Sequence, residues 1–146
     1  VHAVGGSWLC TKADISAHSF EKITALCAEA RQIALGFEVA HVGINTADDD
    51  ASLAICRQFS QAFGFALKTG NSSNFAGPGV EVMKSPYLGE NGHIAVRTNS
   101  IPRAAAELAK AGFQLDEATA KYKDGRMTAV YLKQQFGGFA VHLLQK

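Results

Sequence analysis

The sequence predicts an α+β fold made of two βαβββ modules, residues 39–85 and 92–146, preceded by a separate strand–helix segment. Three observations lead there. The order of strand and helix patterns in the first module returns in the second. The letters return as well: HVGINT (41–46) matches HIAVRT (93–98), AFGFAL (62–67) matches KAGFQL (110–115), and FAGPGVEVMK (75–84) lies on FGGFAVHLLQ (136–145) without a gap. Third, the 146 residues are 47% hydrophobic and 18% charged, which describes an ordered chain able to bury a core. A formal net charge of +1 gives no basic footprint for nucleic acid. No apolar run approaches the roughly 18 residues that span a bilayer, so neither nucleic acid nor a membrane is expected as a partner.

Residues 1–4 read as the end of a strand and Gly5-Gly6 as a tight turn. A helix follows over 19–35, with Ser19 as its cap, Gly36 as its stop and a stripe of Phe20, Ile23, Leu26, Cys27, Ala30, Ile33 and Ala34. A strand and one helix cannot bury their own apolar face, so this segment is expected to belong to something larger and to cover Phe20, Ile23 and Leu26 against a neighbouring chain or domain. The boundary is expected near Gly36 and Phe37. The chain opens on Val1 in mid-pattern, so an upstream part is expected before it.

The first module begins with a strand over 39–45. Thr46 and Asp49, in capping-box spacing, open a helix that sends Leu53, Cys56, Phe59 and Phe63 inward and ends at Gly64. Short strands follow at 65–69, 72–76 and 79–84, broken by Gly70 and by Gly77-Pro78-Gly79. The second module has a strand at 92–98 and a helix at 101–111, with Ser100 as cap, Pro102 in its first turn and Gly112 as stop. Its remaining strands fall near 113–117, 127–133 and 138–145. The run Asp48-Asp49-Asp50 resembles a calcium-binding string, but at a helix start it serves to complement the dipole. Cys10, Cys27 and Cys56 are odd in number and lack CxxC spacing, which points to thiols in a reducing cytoplasm.

Superimposing the modules puts His41 on His93 and Glu81 on His142, each in a strand where aliphatic residues alternate with it. Side chains on a strand alternate between faces. Val42, Ile44, Val80, Val82, Ile94, Val96, Val141 and Leu143 can therefore lie under the helices while three imidazoles and one carboxylate share the other face. If the sheet curls, that face is the inside of a cup. Such a set suits zinc, iron(II), nickel, cobalt or manganese and leaves room for a substrate on the metal. The same residues also make sense as polar side chains on a wet sheet face. Asn45, Met83, Ala95, Arg97, Ala140 and Leu144 share the face, where Arg97 is either a bidentate partner for a substrate carboxylate or a solvated strand residue. His2 and His18 have no partner pattern.

On AHVGIN with His41, VEVMK with Glu81, NGHIAV with His93 and the closing GGFAVHLLQ, residues 38–146 resemble the vicinal oxygen chelate superfamily of glyoxalase I, bleomycin-resistance proteins, methylmalonyl-CoA epimerase and extradiol dioxygenases. The resemblance implies the curved sheet and a metal on His41, Glu81, His93 and His142. It also implies a chemistry in which two neighbouring substrate oxygens chelate the metal while a base moves a proton. Most catalytic members have a carboxylate where this chain has His142, which leaves Glu81 as the ligand-shell group for proton transfer. Residues 1–36, on VHAVGGSWL and EKITALCAEA, resemble the end of the 2-keto-3-deoxy-6-phosphogluconate and 4-hydroxy-2-oxoglutarate aldolases, which are TIM barrels forming a pyruvate Schiff base. In that family the Gly-Gly-Ser turn binds substrate phosphate, a role falling here on Gly5, Gly6 and Ser7; the Schiff-base lysine has no counterpart, since Lys12 and Lys22 do not sit at its position.

Together these resemblances imply the C-terminal part of an aldolase polypeptide, joined to an upstream barrel, whose chelate domain (37–146) binds or transforms a small 2-oxo or hydroxy acid. A homodimer is expected. Three classes remain open: a metal-dependent isomerase, epimerase or lyase; a non-catalytic metabolite-binding or assembly module; and an oxygen-using dioxygenase.

Overall fold

The computed structural model describes residues 5–146; the strand expected at 1–4, and His2 within it, lie outside the described residues. A 3-10 turn (Ser7–Leu9) and a short helix α1 (Lys12–Ser16) lead into α2 (Phe20–Leu35). Helix α2 stops where expected: Gly36 takes the left-handed conformation at φ 59° and donates its N–H to the Gln32 carbonyl. It also starts where expected, with Ser19 at the N-cap, although the Ser19 side chain makes no capping bond. The expected stripe is only partly covered. Ile23, Leu26, Ala30 and Ala34 are half-buried, whereas Phe20 and Ile33 remain 56% and 67% exposed.

Leu35, outside that stripe, seats the helix. It is buried with Ile101, Ala104, Val130 and Leu143, and its carbonyl accepts from the Thr98 hydroxyl at 2.7 Å and the Asn99 N–H at 2.9 Å.

The modules form one curved eight-stranded sheet. Its strands are β1 (Glu38–Ile44), β2 (Leu67–Thr69), β3 (Ser73–Ala76), β4 (Val80–Met83), β5 (Gly92–Thr98), β6 (Leu115–Lys123), β7 (Arg126–Phe136) and β8 (Phe139–Gln145), in the order β2-β3-β4-β1-β5-β8-β7-β6. Strands β1 and β4 run parallel, as do β5 and β8, while β1 and β5 pair antiparallel at the centre. The two halves of the order are therefore the same module related by a pseudo-twofold axis, as the internal duplication predicts.

Helices α3 (Asp49–Phe63) and α4 (Ile101–Lys110) cover the sheet face that carries the alternating aliphatics. Under α3, Cys56, Ala76 and Val82 are fully buried and meet Ile44, Ile55, Phe59 and Val80; under α4, Ile101 and Leu143 gather Val96, Leu108 and Leu115. Removing such side chains from water stabilises a core by about 1.5–3 kcal/mol each.

Three local expectations are corrected. Helix α3 is capped by Asp48, whose side chain accepts from the Ala51 N–H at 2.8 Å, because the Thr46 hydroxyl is taken by the Met83 and Asp48 carbonyls. Phe63 is 67% exposed rather than inward, since β2 beside it is three residues long and itself exposed. Strand β6 begins two residues later than the expected 113–117 and runs on to Lys123, and β7 exceeds the expected 127–133 at both ends, because the two form one hairpin through Asp124 and Gly125, both at positive φ (50° and 72°) as a two-residue turn requires. No helix among the described residues is long and apolar enough to cross a membrane. All three cysteines are free, Cys10 and Cys27 exposed and Cys56 buried.

Candidate metal centre

His41, Glu81, His93 and His142 come from β1, β4, β5 and β8, the four central strands. Strand pairing fixes how they meet. Gly43 lies opposite Glu81 on one side and His93 on the other, and Ala95 lies between His41 and His142. The pseudo-twofold thus surrounds two small residues with four polar ones. At Gly43 the smallness makes room for the site, since a Cβ there would clash with the His93 ring.

The four side chains converge. Nitrogen atoms of the three imidazoles lie within 4.8 Å of one another, and the ring centroids are 5.1–5.7 Å apart. Glu81 Oε2 is 2.9 Å from His41 Nε2 and 3.2 Å from His93 Nε2, and those two nitrogens are themselves 3.2 Å apart. Glu81 Oε1 accepts from the Ser73 hydroxyl. Burial opposes ionisation of Glu81, but the hydrogen bonds from His41, His93 and Ser73 outweigh it and hold the carboxyl well below the usual carboxylate range. At His142 burial, followed by His93 and His41, pushes the imidazole down to about 3, so the ring is neutral and its lone pair is available.

This chemistry fits a divalent cation. Both ring nitrogens of His142, and Nδ1 of His93, are buried without a hydrogen-bond partner. An orphaned buried polar atom costs about 1–3 kcal/mol, a cost that coordination of an imidazole nitrogen removes. Neutral imidazoles and one carboxylate match the preferences of zinc, iron(II), cobalt, nickel and manganese.

Three neighbours escaped sequence reasoning. Gly43 had a faint signal, small residues at the matched positions of HVGIN and HIAVR. Ser73 had none. Tyr131 lies opposite His142 across the β7–β8 pairing, stacks on its ring at 4.7 Å and 18°, and is pushed up to about 12, mainly by burial with added repulsion from Tyr87 and Glu81. Its place opposite His142 depends on the register shift between Tyr131 and Gln135 in the β7–β8 pairing, which no sequence signal announced.

The other candidates lie apart from the cluster or are already engaged. The Asn45 amide donates to the Gly89 carbonyl at 2.8 Å and accepts from the Tyr87 N–H at 3.2 Å, tying down the loop between β4 and β5. Arg97 extends toward Glu38, 3.7 Å away, with its side chain 42% exposed. Gly5, Gly6 and Ser7 are exposed at the start of the 3-10 turn. Asp48 caps α3 while Asp49 meets Lys84 and the Asn74 amide, so the acidic run is spent on structure.

No family profile and no curated protein matches the chain. Solved structures do. Methylmalonyl-CoA epimerase from Mycobacterium tuberculosis aligns at 19% identity over 73% of this chain and 86% of its own, with a TM-score of 0.52. A variant of the Streptomyces coelicolor methylmalonyl-CoA epimerase in complex with 2-nitronate-propionyl-CoA aligns at 15% identity over 75% of this chain and 94% of its own, TM-score 0.51. A hypothetical protein from Bacillus halodurans gives 16% identity over 75% and 94%, TM-score 0.51. At these identities the likeness shows the fold, that of the vicinal oxygen chelate proteins.

Proposed function

We propose that His41, Glu81, His93 and His142 hold one divalent transition metal, and that the domain uses it to bind a small 2-oxo or 2-hydroxy acid and exchange a proton beside its carbonyl. The observation that supports this most is the convergence of four donors from four central strands, three of their buried nitrogens lacking any partner. Bound there, the ion supplies Lewis acidity toward two adjacent substrate oxygens and offsets the negative charge that develops on them. Three neutral imidazoles and one carboxylate leave a divalent site with net charge about +1, which favours an anionic ligand. The solved epimerase neighbours act on an acyl-CoA carrying a carboxylate, a chemistry of the same class.

Glu81 is the carboxylate in contact with the imidazoles, so proton transfer falls to it. Its lowered pKa makes it a weak base. That observation favours a second reading, a module that binds the acid without transforming it. Solvent-deuterium exchange into the pyruvate methyl group, followed by NMR with the metal-repleted chain, separates them. Metal-dependent exchange that Glu81→Gln abolishes supports proton transfer; saturable pyruvate binding without exchange supports the binding module. Oxygen uptake with iron(II) would instead indicate a dioxygenase.

The proposal extends to the rest of the chain. On the resemblance of residues 1–36, the chain is the C-terminal part of an aldolase-type polypeptide of the cytoplasm, divided into 1–36 and 37–146 and acting as a homodimer. There Gly5, Gly6 and Ser7 would serve the substrate phosphate of the upstream barrel, and Arg97 and Asn45 would face the acid bound in the cup. A retro-aldol assay with this chain alone tests the division: no pyruvate release is expected, and release would contradict it.

A further inference from the structure

On the helix-bearing side of the sheet, an open cleft of about 920 Å³ separates the end of α2, the start of α4 and the β6–β7 hairpin. It is distinct from the metal centre: Gln145, which lines it, and His142 sit at positions of opposite parity on β8 and so face opposite ways. Arg103, Arg126 and Lys146 line the cleft and no Asp or Glu side chain does. Lys146 is engaged by Glu38 at 3.0 Å, outside the lining. Arg103, half-buried, and Arg126, exposed, form no ion pair or side-chain hydrogen bond among the described residues. In a chain of net charge +1, this is an uncompensated concentration of positive charge.

The first turn of α4 sharpens the imbalance. A helix start favours acidic side chains, yet this one contains no acid, carries Arg103 and receives no bond from the Ser100 side chain; only Gln145 Oε1 accepts there, from the Ile101 N–H at 3.1 Å. Two guanidiniums in one cleft can supply fork-shaped donors to more than one face of a tetrahedral dianion. Tyr122, 61% exposed, lines the same cleft and adds an aromatic ring to it.

We propose that this cleft binds a phosphate monoester, the phosphoryl group held between Arg103 and Arg126 and the organic part lying against Tyr122. The site does not rest on the metal reading. The test uses the whole chain in chelator, so that the metal centre takes no part, and follows amide NMR shifts during titration with inorganic phosphate and with phenyl phosphate.

Saturable shifts centred on Arg103 and Ala104 are expected, with phenyl phosphate the tighter ligand. Loss of one charge-assisted contact in Arg126→Gln, an exposed position that leaves the core intact, should weaken both ligands about tenfold. Tyr122→Ala should remove the advantage of phenyl phosphate while sparing inorganic phosphate. Equal shifts with benzoate or chloride, an unchanged affinity in Arg126→Gln, tighter binding of single-stranded nucleic acid, or shifts confined to the His41–His142 face would each overturn the proposal.

Discussion

His142 is a side chain whose burial favours its uncharged form. Burial and the neighbouring imidazoles push it down to about 3 from an ordinary value of 6.5. Across that interval the unfolded chain binds more protons than the folded one. The stabilisation from keeping this ring neutral is therefore complete above about pH 6.5, falls as the pH drops, and is gone near pH 3. Urea midpoints of the metal-free chain should decline from pH 6.5 to pH 4.5, before Glu81 reaches its ordinary value of 4.5. His142→Leu should flatten that part of the profile; an unchanged decline would contradict the assignment. Gly43 is the complementary case, a residue whose lack of a side chain makes room for His93. Gly43→Ala should displace the imidazole, lower stability by about 1–3 kcal/mol and weaken metal binding at least tenfold, as read by calorimetric titration.

Elements built on local periodicity were legible in the sequence, and those built on contacts across the sheet were less so. The stop at Gly36, the stop at Gly64 and the strand at 92–98 follow from glycine chemistry and alternation, and all three stand in the structure. The start of α3 was misassigned by two residues because Thr46 and Asp48 are both good caps, and only the tertiary claim of the Met83 carbonyl on Thr46 decides between them. Asp48→Ala should accordingly cost about 1 kcal/mol in urea denaturation. Thr46→Ala should also destabilise, through the loss of its tie to β4 rather than of a cap. The β6–β7 hairpin was readable from Asp124-Gly125 between alternating strands, but the polar letters around it concealed the length of both strands. Phe63 illustrates the opposite error, a helical stripe continued past the surface available to bury it.

At the scale of the molecule, duplication converts two modest coincidences into one centre. The His41–His93 and Glu81–His142 correspondences were visible as letters, and the antiparallel pairing of β1 with β5 turns them into one cluster, with His41, Glu81 and His93 in hydrogen-bonding distance and His142 beside them. Gly43, Ser73 and Tyr131 were not visible in that way, because their roles depend on which strand lies beside which. The same architecture puts the α4 cleft on the opposite side of the sheet from the cup, so the acid site and the phosphate site proposed above would not compete for space. Whether the cup holds a metal is most directly measured as metal content per chain after repletion with zinc, cobalt or manganese and exhaustive dialysis, with the His93→Ala chain treated in parallel. The prediction is one ion per chain retained by the natural sequence and none by the variant; no retained metal, or equal retention by both, would contradict it.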